Sequence, residues 1–156
     1  MKICVINGSP KGKYSVTLQT LLFLEKKYNC CQAVVCAYCQ KKGISENEVY
    51  RLAEAFGGGM GGMQDTCGAV TGMFMALGLQ ISAGDLSDPR KSKGATYEEV
   101  QKAADAFRVA CGSLYCREIK SRAEGKPMVS CVQCVETAAE YLDKYLDTLA
   151  VTDKKE

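Results

Sequence analysis

The chain has 156 residues, 47% hydrophobic and 24% charged, which suits one folded unit rather than two. Twenty basic against eighteen acidic side chains leave a formal charge of +2, too little to hold a polyanion by charge alone, so no nucleic-acid partner is expected. Histidine is absent and there are 10 cysteines. This chain alone can supply no Ser-His-Asp triad, Cys-His pair, imidazole zinc ligand or His-ligated haem, and thiols are its most abundant unusual resource.

The opening residues, Met1-Lys2-Ile3-Cys4-Val5-Ile6-Asn7-Gly8, hold too short an apolar run for a signal peptide's core. No apolar stretch approaches the ~20 residues of a membrane helix. A cytoplasmic protein without a membrane partner is therefore expected. In that compartment clustered cysteines serve metal binding or redox chemistry more often than disulfide staples.

Residues 2–7 form a β-type run, followed by Gly8-Ser9-Pro10-Lys11-Gly12-Lys13 and a helical pattern over 15–28. Strand, glycine loop and helix is the geometry that aims backbone N–H groups at a phosphate. The stretch Ile6-Asn7-Gly8-Ser9-Pro10-Lys11 resembles the opening of flavodoxin-like NADPH-dependent FMN reductases. The resemblance implies Ser9, Ser15 and Thr17 as hydroxyl donors to an FMN phosphate. It covers only the first 28 residues or so, and no second strand–helix–strand unit follows, so the start reads as a fragment whose helix joins another fold.

Beyond it the pattern is helical. Leu21, Leu22, Leu24 and Tyr28 give one apolar face, and residues 30–39 are apolar nearly all round, which predicts a buried central helix ended by Gly43. Ser45 or Asn47 is placed to cap a third helix carrying Val49, Leu52, Ala53 and Phe56. Glycines 57–62 precede a fourth helix over 67–79, on which Gly68, Gly72 and Ala76 recur every four residues. Such a ridge lets another backbone or a cofactor approach closely, so Gly68 and Gly72 are candidate cofactor contacts. Residues 82–94 read as a loop, 97–110 as a fifth helix and 131–149 as the last. The expected fold is mainly α, a bundle of about five to six helices behind a short N-terminal β-strand and loop. Residues 1–17 form the fragment, 18–150 the helical four-cysteine domain and 151–156 a solvated tail.

Four cysteines sit beside helix-start signals. Asn29 precedes Cys30, Asp65-Thr66 precede Cys67, Ser130 precedes Cys131, and Ser113 lies three residues before Cys116, which adjoins Arg117. In a helix's first turn the unpaired N–H groups and the positive end of the dipole favour thiolate over thiol. Thiolates are the nucleophiles of disulfide exchange and the ligands of soft metals. The bland reading of Cys36, Cys39 and Cys111 is a small buried hydrophobe, and Cys31 reads as packing. Cys134 stays open between core residue and dithiol partner, because Cys131-Val132-Gln133-Cys134 is a CxxC. Glycines 57–62 read equally as a link or as a loop whose bare backbone meets an anion, a flavin or a cluster. Arg90-Lys91-Ser92-Lys93 reads as a solvated loop.

Five segments follow in order: Tyr28-Asn29-Cys30-x-Gln32-Ala33-Val34, Phe56-Gly57-Gly58-Gly59-Met60-Gly61, Thr66-Cys67-Gly68-Ala69-Val70-Thr71-Gly72, Tyr115-Cys116-Arg117-Glu118 and Cys131. From about residue 18 to 148 the chain resembles the redox-active proteins named for the pattern C…GCAxxG…C…C. The resemblance implies a small helical redox protein whose four cysteines are Cys30, Cys67, Cys116 and Cys131, the four that the helix-start signals single out. It also implies a possible iron–sulfur cluster on those residues.

Three functions are therefore carried forward. The first is a thiol/disulfide or iron–sulfur electron-transfer protein, an oxidoreductase or its component, working with another redox protein; a homodimer is compatible with it. The second is a structural Cys₄ zinc site on the same four residues. The third and weakest is an FMN-binding reductase fragment.

Overall fold

The structure, a computed structural model, describes residues 15–121 and 129–152. The expected strand over 2–7, Cys4 and Ser9 lie outside the described residues. Among the described residues seven α-helices follow in order: α1 (Val16–Glu25), α2 (Cys30–Lys42), α3 (Glu46–Ala53), α4 (Gly68–Ile81), α5 (Lys93–Cys111), α6 (Cys116–Lys120) and α7 (Cys131–Thr152). A 3-10 turn, Glu54–Phe56, extends α3. Among the described residues no strand forms, and an isolated antiparallel bridge joins Thr66 to Tyr115. No helix among them is long and apolar enough to cross a membrane.

The expected central helix is found. Every residue from Cys31 to Cys39 is buried, and α2 packs against α1, α3, α4 and α7. Its start is a capping box. The Asn29 side chain accepts from the Cys31 and Gln32 amides (3.0 and 2.9 Å), and Gln32 Oε1 accepts from the Asn29 N–H (3.0 Å). Gly43, at φ 68°, ends it in the left-handed conformation. Tyr38, fully buried, donates its hydroxyl to Gln80 on α4 (2.6 Å), so its one polar atom stays satisfied inside the core.

The first helix stops at Glu25, three residues earlier than its apolar pattern suggests. Lys27 turns left-handed (φ 70°), the Tyr28 N–H bonds Phe23 O (3.0 Å) and the Lys27 N–H bonds Leu24 O (3.0 Å). The Tyr28 ring then stacks on Phe23 at 4.6 Å. This is a Schellman ending with its hydrophobic contact. Tyr28 therefore belongs to the core without belonging to the helix.

The start of α1 corrects the flavin-phosphate expectation. Asp143 of α7 accepts from Ser15 Oγ (2.8 Å), Thr17 Oγ1 (3.1 Å) and the Val16 and Thr17 amides (both 3.2 Å). An internal carboxylate occupies the anion position that the helix dipole creates. Ser15 and Thr17 tie α1 to α7 instead of holding a phosphate.

The glycine ridge on α4 serves α2. A Cβ added at Gly68 would lie 2.3 Å from Cys30 Sγ and 2.9 Å from Phe56 O; at Gly72 it would lie 2.7 Å from Cys31 O. Gly68 and Gly72 thus admit the start of α2 at close range, Gly68 against the Cys30 sulfur and Gly72 against the Cys31 carbonyl. The fifth helix starts at Lys93 rather than 97, because its first turn (Lys93-Gly94-Ala95-Thr96) is exposed or half-exposed and carries no apolar repeat.

Candidate functional site

The four cysteines singled out from the sequence all stand at helix starts. Cys30, Cys116 and Cys131 are the first residues of α2, α6 and α7, and Cys67 is the N-cap of α4. One detail differs from expectation: Asp65 and Thr66 do not cap α4, because they pair with the chain before α6. The Cys67 N–H bonds Leu114 O (2.8 Å), the Cys116 N–H bonds Asp65 O (2.7 Å) and the Arg117 N–H bonds Gln64 O (2.9 Å). This staple fixes Cys67 and Cys116 on either side of the Thr66–Tyr115 bridge. Ser113 Oγ accepts from the Tyr115 N–H (3.0 Å), one residue before the helix it was expected to cap. At α7 the Ser130 hydroxyl accepts from the Gln133 N–H (3.2 Å), while Gln133 Oε1 accepts from the Ser130 N–H (2.8 Å), a second capping box.

The glycine loop is a fixed element of this site. Residues 58 to 62 all have positive φ, between 61° and 83°, with Met60 the sole non-glycine. Such a run is open to glycine and costly for other residues. It lets the Gly62, Gln64 and Asp65 amides fold back onto the carbonyls of Gly57, Gly58 and Gly59 (3.0 to 3.2 Å). A Cβ on Gly59 would lie 2.7 Å from Cys116 Cβ, and the Gly58 amide faces the Cys30 sulfur. The segment is not a loose link: its bare backbone meets the Cys30 sulfur and the Cys116 Cβ.

The cysteines influence one another. The Cys30 thiol is pushed up by burial, opposed by the Gly58 N–H, and the charges of Cys67 and Cys131 add to the rise. Cys67 goes the other way, from 9.0 to about 6. Its largest cause is a hydrogen bond from Cys134; the amides of Ala69 and Val70 at the start of α4 and the Lys120 ammonium act in the same sense, against burial. Charge on Cys116, then on Cys131, holds the Lys120 ammonium above its ordinary value.

Two further thiols enter here. Cys134 is 2% exposed, and Cys111 and then Cys67 beside it, together with burial, hold its proton on strongly. Cys111, at the end of α5, is lowered to about 7, chiefly by Cys134 and then by Thr137, whose hydroxyl lies 3.7 Å from its sulfur. Cys111 lies in the hydrophobic core as expected, with Thr137 and Cys134 as polar neighbours there, and Cys134 is buried in the same core. Cys31, Cys36 and Cys39 are packing residues as expected, with burial pushing their thiols up to about 12, 12 and 11.

Lys120 was missed from the sequence. It lies one turn beyond Cys116 on the same helix face, a spacing that could have pointed to it. Arg117, the cation that looked closer, is placed over the Tyr115 ring instead (5.0 Å). Access is graded: Cys131 is exposed, Cys30 half-buried, Cys67 and Cys116 buried. Among the described residues no three Cys, Asp or Glu side chains are placed to hold a metal ion.

A helical body that gathers distant thiols at converging helix starts defines a small α-helical thiol protein. The family model described as "Putative redox-active protein (C_GCAxxG_C_C)" matches residues 28–145, and the chain belongs to that family. Neither the curated proteins nor the solved structures searched gave a match.

Proposed function

We propose that the chain carries two-electron thiol/disulfide chemistry through Cys30, Cys67, Cys116 and Cys131, exchanging with a disulfide or dithiol of a redox partner. One observation carries this reading: the four residues, scattered over the sequence, each start or cap a helix around Lys120, and Cys67 is held toward thiolate although buried. Thiolate is the attacking form in disulfide exchange. Attack on a partner disulfide joins one protein sulfur to one partner sulfur and expels the other as thiolate. A second protein thiolate then completes an internal disulfide and releases the remaining partner thiol.

A second reading places an iron–sulfur cluster on the same four residues. Its support is the donor chemistry: four thiols facing helix N-termini and a lysine suit a cluster whose thiolate ligands bring negative charge. The side chains are not drawn together as a coordination sphere, and Cys67 is engaged with Cys134, so the dithiol version ranks first.

Iron, zinc and acid-labile sulfide measured on anaerobically prepared protein, together with thiol counts before and after mild oxidation, test both. The dithiol reading expects a reversible fall in thiols in steps of two without stoichiometric metal. Iron with sulfide and broad absorption at roughly 400–420 nm would establish the cluster instead. Stoichiometric zinc with a constant thiol count would replace both with a structural site.

A further inference from the structure

We propose that the groove between α5 and α7 is a binding pocket for a free α-amino acid with an apolar side chain. It lies apart from the chemistry described above, since no cysteine lines it.

A cavity of about 190 Å³ opens between these two helices, over α4. It follows from how α5 and α7 are held. At one end the Tyr141 hydroxyl donates to Glu99 (2.6 Å), and at the other the Thr137 hydroxyl lies 3.7 Å from Cys111 Sγ. Between those ties α5 contributes Ala106, Phe107 and Ala110 to the wall. Two of these three side chains end at Cβ, so the helices meet without filling the space. Met73 of α4 and Phe107 are buried and make an apolar floor, whereas Ala106 and Ala110 are exposed at the mouth. Tied across both ends, the space is formed before anything enters it, as ligand pockets usually are.

The rim sets the chemistry of the occupant. Glu140 and Lys144 stand one turn apart on α7, both exposed and both lining the cavity. Neither side chain has a hydrogen-bond or ion-pair partner among the described residues. Side chains at i and i+4 start about 5–6 Å apart. A carboxylate and an ammonium at that spacing match the ammonium and the carboxylate that an α-amino acid carries on one carbon. A simple amine or a simple acid engages only half of the pair. The floor sets the size: an apolar cavity of about 150 Å³ takes up benzene, so this one has room for the side chain of leucine, methionine or phenylalanine. A charged side chain would lose its water against Met73 and Phe107 without a partner in return.

L-Leucine titrated into the reduced full chain, with backbone amide signals followed by NMR, tests the pocket. Saturable shifts centred on Ala106, Ala110, Thr137, Glu140 and Lys144 are expected, with a Kd of about 1 mM or tighter, within reach of a ligand of about nine non-hydrogen atoms. Glycine, which has no side chain for the floor, should not saturate. Leucinamide lacks the carboxylate and N-acetylleucine lacks the ammonium. Each should bind about two- to fivefold more weakly than leucine, the range of one solvent-exposed ion pair. Glu140→Gln should remove the preference over N-acetylleucine and keep that over leucinamide, and Lys144→Met should do the reverse. Ala106→Leu, which fills the mouth, should weaken leucine by about tenfold or more, the loss of one buried aliphatic side chain. Absence of saturation, equal binding of the three leucine forms, or leucine binding unchanged by Ala106→Leu would each overturn the proposal. The ligand series on the unaltered chain decides the matter even where a variant does not fold.

Discussion

The middle of α2 and the convergent helix starts are both rich in buried cysteine, yet the two regions treat sulfur in opposite ways. Cys31, Cys36 and Cys39 are fully buried, and burial drives their thiols to about 12, 12 and 11. Cys67 is only 6% exposed and moves to about 6. Burial alone therefore does not set the character of a thiol here. What differs is the company: backbone N–H groups in mid-helix are already committed to carbonyls, whereas those at a helix start are still available. Cys67 also has the Cys134 thiol and Lys120 beside it.

The seam between the two regions offers the largest effect. Gly68→Ala puts a methyl against Cys30 Sγ and Phe56 O, and should cost about 3 kcal/mol in urea unfolding, the upper range for overpacking. Gly78→Ala on the same helix meets nothing within 4 Å and should stabilise by up to about 1 kcal/mol. Equal effects at the two positions would show that the ridge does not hold α2 and α4 together.

Within α2, Cys36→Ser buries a hydroxyl in an apolar surround and should cost about 1 to 2 kcal/mol. It should leave the rate of Cys67 alkylation untouched. A change in that rate would mean that the two regions are coupled rather than contrasted.

The helix-start region is read most directly by pH. Alkylation followed peptide by peptide should show Cys67 reacting as thiolate with a midpoint near 6, while Cys31, Cys36 and Cys39 stay unreactive through neutral pH. The folded Cys67 titrates below its unfolded value, so its contribution to stability is full above the ordinary 9.0. That contribution falls with pH and is gone once pH drops through about 6. Cys134→Ala should raise the midpoint most, since Cys134 supplies the largest lowering. Lys120→Met should raise it least, because a largely solvated charge is screened.

Much of this was legible in the sequence where one segment carried its own signal. The burial of α2 followed from its apolar circumference, its end from Gly43, and the places of Cys30 and Cys131 from Asn29 and Ser130 before them; Cys67 and Cys116 also begin helices, but the polar residues before them do not cap those helices. What stayed hidden depended on partners far along the chain. Ser15 and Thr17 looked like phosphate donors until Asp143 reached them, and Cys111 read as core gave no sign of Thr137 beside it. The glycine ridge was visible, but only the position of α2 decided what it admits. Short α6 has too few residues for a periodic pattern, and Lys120 went unnoticed with it.

The anchoring of α7 has a mechanical consequence. Midway along the helix, Asp143 grips the start of α1 and the Tyr141 hydroxyl donates to Glu99 of α5 (2.6 Å), both well below the sulfur-bearing tip. The shaft is thus clamped on two sides, and its first turn is held separately by the Ser130–Gln133 box. A rearrangement at the tip therefore meets its first resistance in that local box, and the two anchors lower down oppose any sliding of the whole rod.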